Sequence, residues 1–333
     1  MLTSRPLHTA TAPWAETGSA LSAKKVRLWW QRAQQAYPPN TLRAWRADWA
    51  VFLAYCERDR LIPLPASAET VAGFVGACRA NKKKPATTQR YLSTLTLAHR
   101  VAGLTNPVSD EAVQLELKGY RRAVSVRQQQ AHPLGWAEIR AYLDLELRSL
   151  RGLRDAALLC VAYDTMARRS ELVALNIEDL DFLGDGTGRA LIQRSKTDPS
   201  GEGNQAYLSR ETVRQVLRWR EEAGCREGPL FRRLVGRYQI GNRLGADSVS
   251  ELYKAVAAVV GLPAEQIRTI SGHSIRVGAT QDLLALNIDL ASVMQAGRWA
   301  SARMPMRYGE HVLAARGAMA RAAGAQGRDC AVL

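Results

Sequence analysis

Residues 271–280 read SGHSIRVGAT. His273 and Arg276 stand three positions apart, which puts both on one side of a helical turn, and Gly278 and Ala279 follow directly behind them. An imidazole exchanges a proton near neutral pH. A guanidinium binds oxyanions through a planar fork of donors. Together they would suit proton transfer beside a negatively charged oxygen, yet the same pair is also ordinary on a protein surface. The small residues behind them would let the element that carries both side chains pack close to its neighbours. Three other stretches raise the same question. In TMARRSELVAL (165–175), Arg168 and Glu171 lie one turn apart while Leu172 and Leu175 point inward; taken alone this is a surface ion pair. In QRSKTDPSGEGNQ (193–205), Lys196 sits where a strand meets a Gly-rich turn, a place where lysine protects a sheet edge. AGRW ends at Trp299, and Tyr308 follows nine positions later in RMPMRYGEH; a lone helical tyrosine is ordinarily amphipathic packing.

These residues need elements to hold them. From about Lys25 the pattern is helical. TLRAWRADWAVFLAYC (41–56) lays Leu42, Trp45, Trp49, Phe52, Leu53 and Cys56 on one stripe, with Arg43, Arg46 and Ala47 facing away. Asn40 or Thr41 is expected to cap its start after Pro38 and Pro39. SAETVAGFVGACRAN (67–81) is a second helix capped by Ser67, Thr87 to Ala102 a third after three lysines and a proline, and about Glu111 to Val124 a fourth. No strand is expected in this region. SVRQQQAHPLG (125–135) is polar, carries a proline and breaks the period, as a linker would. Helices follow at about 136–147 and 151–166. The period then switches to two, giving short strands near 177–182, 189–195 and 204–208 with Gly-rich turns between them. Helices resume at 210–223 and 247–260 and run to the end.

The fold class expected is therefore mainly α with a small antiparallel β-sheet. The organisation expected is a flexible tail over 1–24, a helical domain over 25–125, a linker over 126–134, a mixed α/β domain over 135–323 and a C-terminal tail over 324–333.

At 333 residues the chain has room for two domains, and 47% hydrophobic residues excludes a largely disordered chain. Lys plus Arg number 46 against 31 Asp plus Glu, a formal net charge of +15. Such a balance points to a polyanion, most often nucleic acid, with plain solubility charge as the rival. Five cysteines show no CxxC pair and no His partner at metal spacing; Cys56, Cys78 and Cys160 read as small core residues. A reducing, cytoplasmic setting and no structural zinc are expected. The N-terminus lacks the apolar run of a signal peptide, and AALLCVAY (156–163), the longest apolar run, is too short to span a bilayer.

Taken together, in this order and context, the candidate residues resemble the active site of the tyrosine recombinases, the phage integrase family. TMARRSEL resembles that family's first arginine motif and GHSIRVGAT its H-x-x-R box. Tyr308 stands where the family keeps its nucleophile, and Trp299 where many relatives carry a second histidine. The likeness runs from about residue 38 to 323.

The resemblance implies a helical core-binding domain and a mixed α/β catalytic domain closing on DNA as a C-shaped clamp. It implies a catalytic set of Arg168, Glu171, Lys196, His273, Arg276, Trp299 and Tyr308, with no metal and no cofactor. The two arginines would stabilise the phosphorane-like state, Tyr308 would attack, His273 would move a proton, and Lys196 would protonate the leaving 5′-oxygen. Trp299 would donate its indole N–H to a phosphate oxygen, and Glu171 would hold Arg168 or His273 in place.

The partners implied are double-stranded DNA with inverted repeats and, as a tetramer on two sites, three further copies of the chain. Exchange would pass through a 3′-phosphotyrosine and a Holliday junction, in the cytoplasm at the nucleoid. Arg43, Gln89 and Arg90 are candidates for the major groove, and Lys82, Lys83 and Lys84 for phosphates, which position without specifying. The helix at 247–260 lies where a member of the family has a base-reading helix; its start here, ADSVSEL, has no arginine, which implies a different target sequence. The rivals are a dimer resolvase or integrase of the same family, a type IB topoisomerase, and a DNA-binding regulator without catalysis.

Overall fold

The computed structural model describes residues 13–14, 20–124, 129–145, 147–193, 202–236 and 239–328. Its first five helices are α1 (Ala20–Ala36), α2 (Pro39–Arg58), α3 (Ala68–Ala80), α4 (Pro85–Ala102) and α5 (Glu111–Ala123). Prolines open α2 and α4, because the first helical position needs no N–H and proline presets its φ. The cap expected from Asn40 or Thr41 is not made: Pro38 holds the N-cap position and no side chain closes it. Ser67 does cap α3, its Oγ accepting from Thr70 N at 3.1 Å. The core of these helices is aromatic. Trp30, Trp49, Phe52 and Phe74 are buried in it with Val71, Leu92 and Leu95.

Within the tail expected over 1–24, residues 13–14 and 20–24 are described. Trp14 is fully buried, edge-on to Trp30 and Trp49 with ring centroids 5.6 Å and 5.8 Å away, and α1 is already helical from Ala20. The Trp14 ring adds a large apolar surface to that core.

The chain divides into two units, Met1–Gln128 and Gln129–Leu333. The second opens with α6 (Trp136–Leu143) and α7 (Leu150–Thr165), followed by the short α8 (Arg169–Ala174). Helix α7 is the axis of its core, with Ala156 to Ala162 buried on every face. Strands β1 (Leu180–Phe182), β2 (Gly188–Ile192) and β3 (Asn204–Leu208) form an antiparallel sheet in that order, with Leu180 opposite Ala190 and Arg189 opposite Tyr207. Helix α9 (Arg210–Glu222) packs along α7. A second antiparallel pair, β4 (Arg232–Val235) and β5 (Gln239–Arg243), was not expected; its sequence is rich in arginine and its register is broken between Arg232 and Leu234. Next come α10 (Ala246–Val259), α11 (Ala264–Thr269), α12 (Ser274–Ala285) and α13 (Leu290–Gly297). The described residues end with α14 (Arg303–Tyr308), α15 (Glu310–Arg316) and α16 (Ala318–Ala325).

The end of the expected linker belongs to this unit's core. Leu134 is 1% exposed, its N–H donates to Ser274 O at 3.0 Å, and Trp136 N donates to Asp282 Oδ2 at 2.8 Å. The C-terminal tail expected from 324 likewise starts inside α16. Cys56, Cys78, Cys160 and Cys225 are free and buried; Cys330 lies outside the described residues.

Candidate functional site

Helix α7 stops at Met166, whose backbone is left-handed (φ 47, ψ 31). The chain turns there and restarts as α8 with Arg168 at its N-cap. Glu171, three residues on, does two things at once. Its Oε2 accepts from Arg168 N at 2.9 Å, half of a capping box, and its Oε1 accepts from Arg168 Nη1 at 2.6 Å. One carboxylate therefore starts the helix and aims the guanidinium. Glu171 is almost fully buried. Burial alone would raise its pKa, but the Arg168 N–H, the Arg168 guanidinium and Arg298 outweigh it and hold the carboxyl below its ordinary value.

Arg276 projects from the first turn of α12. Its Nη1 donates to Met166 O, the carbonyl freed by the turn after α7, and its Nη2 to Gly297 O at the end of α13. Its guanidinium lies over the Trp299 ring, 4.2 Å from the centroid. Burial first, then Arg168 and Arg298, pushes its pKa down to about 10, so it stays charged at neutral pH. Trp299 in turn meets Tyr308 edge to face, with centroids 6.0 Å apart. Gly297 makes room for the indole: a Cβ there would lie 2.0 Å from a Trp299 ring atom. His273, an exposed residue overall, stands at the N-cap of α12. Desolvation, then Arg276, Arg169 and Arg168, holds its pKa below the ordinary imidazole value. Tyr308 closes α14 and is half-buried, and its carbonyl accepts from Gln281 Nε2 at 2.9 Å and from Gln130 Nε2 at 3.2 Å.

Six of the seven residues expected at this site are thus brought to one place, and Lys196 lies outside the described residues. Tyr253, another tyrosine of this unit, is buried with its pKa raised by desolvation, so its phenol is not presented to a ligand. Three contributors were missed. Arg298 donates from Nη2 to Glu171 Oε2 at 3.0 Å and from Nη1 to Thr165 O at 2.8 Å. The pair Gln130 and Gln281 hold the Tyr308 carbonyl. Arg298 stood in plain view in AGRW, but no periodicity marks a residue at a helix end. Among the described residues no three His, Cys, Asp or Glu side chains gather as metal ligands, and no helix is long and apolar enough to cross a membrane.

The residues expected to meet DNA from the first unit are spread along its surface. Arg43 and Lys82, Lys83 and Lys84 are exposed, Arg43 bonding to Asn40 Oδ1. Gln89 accepts from Arg121 Nη2 at 2.6 Å. Arg90 commits Nη2 to the buried Asp48 at 2.6 Å, though its side chain remains 57% exposed.

The model of the phage integrase family matches residues 137–314. An integrase/recombinase xerD homolog from Selenomonas ruminantium is 29% identical over 88% of this chain and 86% of its own length. Recombinase cre of Escherichia phage P1 is 25% identical over 87% and 89% respectively. Among solved structures, XerH site-specific recombinase bound to its difH substrate matches with TM-score 0.57 at 16% identity, over 86% of this chain and 82% of that one. A lambda integrase dimer bound to a COC′ core site matches with TM-score 0.55 at 16% identity, over 85% and 94%. The family match covers more than half of the chain: it belongs to the phage integrase family, the tyrosine recombinases, enzymes that cleave and rejoin DNA strands.

Proposed function

We propose that this chain is a site-specific DNA recombinase in which Tyr308 is the nucleophile and Arg168, Glu171, Lys196, His273, Arg276 and Trp299 serve its attack on a DNA phosphate. One observation carries the reading: Arg276, fixed by two carbonyls and stacked on Trp299, stands beside the Tyr308 ring. Arg168 and Arg276 together offer permanently charged, preorganised donors to the non-bridging oxygens.

In the forward step the Tyr308 oxygen bonds to phosphorus, the bond to the 5′-oxygen breaks, and the 3′-end stays on the protein as a phosphotyrosine ester. The phenol proton leaves towards His273, neutral at pH 7 by its lowered pKa. Lys196 gives the 5′-oxygen the proton it needs. The ester conserves bond energy, so the 5′-hydroxyl of a partner strand reverses the step without ATP. Two such exchanges pass through a Holliday junction.

The assembly we propose is a homotetramer on two copies of an inverted-repeat site, acting at the nucleoid. The helical residues 25–125 form a core-binding domain, with Arg43, Lys82, Lys83, Lys84, Gln89 and Arg90 towards the DNA, and 135–323 form the catalytic domain. Cre-like features support this arrangement: Trp299 in MQAGRW, and GAMAR near the C-terminus.

The test is to sequence DNA retained by the purified protein from a random library, then to incubate the selected duplex with wild type and Tyr308→Phe. Inverted repeats around a short spacer are expected, with a covalent protein–DNA adduct for wild type and unimpaired binding without adduct for Tyr308→Phe. An adduct formed by the Phe variant removes Tyr308 from the role. Tight binding with no adduct from wild type makes the protein a DNA-binding regulator instead.

A further inference from the structure

Arg298 occupies a left-handed backbone conformation, φ 53 and ψ 49, directly after Gly297 and before Trp299. Glycine adopts that conformation without steric cost, whereas a Cβ is crowded there. Retention of an arginine is a strain that its side chain must offset. That side chain is 7% exposed, and its two terminal nitrogens hold Thr165 O at 2.8 Å and Glu171 Oε2 at 3.0 Å. The Glu171 carboxylate is thus bridged: Oε1 holds the Arg168 guanidinium, while Oε2 holds both Arg168 N and Arg298.

We propose that Arg298 is a positioning residue that takes a share of the Glu171 charge, so that Glu171 aims Arg168 without neutralising it. The proposal rests on the reading of Arg168 as a phosphate-binding group. The charge arithmetic decides between a passive cross-link and this role. One carboxylate between two guanidiniums leaves the trio with one net positive charge; without Arg298 the remaining pair is neutral. A buried neutral pair offers a phosphate far less attraction than a buried cation does. The charged groups that face Glu171 are Arg168 on its own turn, Arg298 from the end of α13 and Arg276 from α12. Helix α10, packed on α8, brings Asp247, whose partner is Arg169 rather than Glu171.

Two variants separate backbone from charge. Arg298→Gly relieves the strain and deletes the cation; Arg298→Lys keeps the cation and loses the fork. On the duplex selected by wild type, single-turnover cleavage at saturating DNA should fall about ten-fold or more in Arg298→Gly, the loss expected for one charge-assisted hydrogen bond. Single-site binding should be retained, and Arg298→Lys should recover part of the rate. Removing a cation raises the Glu171 pKa, so the acid limb of the rate profile should move to higher pH in Arg298→Gly. Without DNA, the acid-unfolding midpoint should move the same way. A wild-type rate and an unmoved acid limb in Arg298→Gly, or a Lys variant no better than Gly, overturns the proposal. Absence of any wild-type adduct in the same assay defeats the catalytic reading instead, and the acid-unfolding midpoint then decides alone whether Arg298 holds Glu171 charged.

Discussion

His273 shows how one side chain inherits its chemistry from neighbours that belong to other motifs. Desolvation and the cations of Arg276, Arg169 and Arg168 disfavour its charged form. Its folded pKa is therefore below the unfolded value of 6.5. The unfolded chain takes up the proton first on acidification, so His273 contributes stability above that value which is lost as pH falls through the window beneath it. Glu171, also lowered, loses its contribution in the same direction at more acid pH, below 4.5. We expect the His273 ring resonances of the DNA-free protein to titrate with a midpoint below 6.5. Arg169→Gln should bring the midpoint back towards that value, because Arg169 contributes charge from outside the proposed catalytic set. A midpoint at or above 6.5, or one indifferent to Arg169, contradicts the assigned cause. At this scale the sequence was informative wherever a residue's type and spacing carried the signal, as for His273 with Arg276 and Arg168 with Glu171. It was silent on Arg298 and on Gln130 with Gln281, whose roles follow from a backbone angle and from long-range hydrogen bonds.

The elements decide whether those side chains meet. Helix α12, which carries Arg276, has segment 132–136 directly against it, and Gly278 makes that approach possible. A Cβ at Gly278 would stand 2.2 Å from Leu134 O and 2.6 Å from Gly135 N. Both obstacles are backbone, so no side chain can swing aside. Gly278→Ala should cost about 1–3 kcal/mol, as overpacking of a filled core does, seen as a lower urea midpoint of the second unit. Gly119→Ala in α5 is the control. Nothing lies within 4 Å of its added Cβ, and alanine favours a helix, so it should be neutral or stabilising. An unchanged midpoint for Gly278→Ala would mean that the close approach is not under constraint. The long helices and the sheet β1–β3 were legible because their apolar residues repeat with period 3.6 or 2. The hairpin β4–β5 was not, since arginines and other polar residues break the alternation in both strands, and α8, α11 and α14 have six residues each, too short for a period. The close of the expected linker shows no period either: His132 N and Leu134 N donate to the carbonyls of Thr269 and Ser274, and backbone hydrogen bonds leave no trace in the side-chain pattern.

For the molecule as a whole, the C-terminal helices divide into one that serves the fold and one with little reason to stay. Helix α15 packs on α12, and the Arg316 guanidinium bonds to Ala285 O at the end of that helix. Helix α16 buries only Ala323, and Met319 is 73% exposed. An eight-residue helix with so little burial is marginal in water. In the tetramer proposed above, its apolar face would dock head to tail on a neighbouring subunit, a heterologous contact of the kind that closes a ring. Ending the chain at Gly309 would also strip α15 from α12 and confuse assembly with folding, so the informative truncation ends at Gly317. The shortened protein keeps the two cores and nearly all of the excess of 46 basic over 31 acidic residues. It should therefore unfold at the wild-type temperature and bind a single selected duplex with unaltered salt dependence, because phosphate contacts dominate that binding. Assembly on paired duplexes, followed by sedimentation, and recombination between them should both fall sharply. Undiminished tetramers and recombination would assign α16 to its own subunit or to none. A loss of thermal stability would show that Ala323 and the α15–α16 contact belong to the core after all.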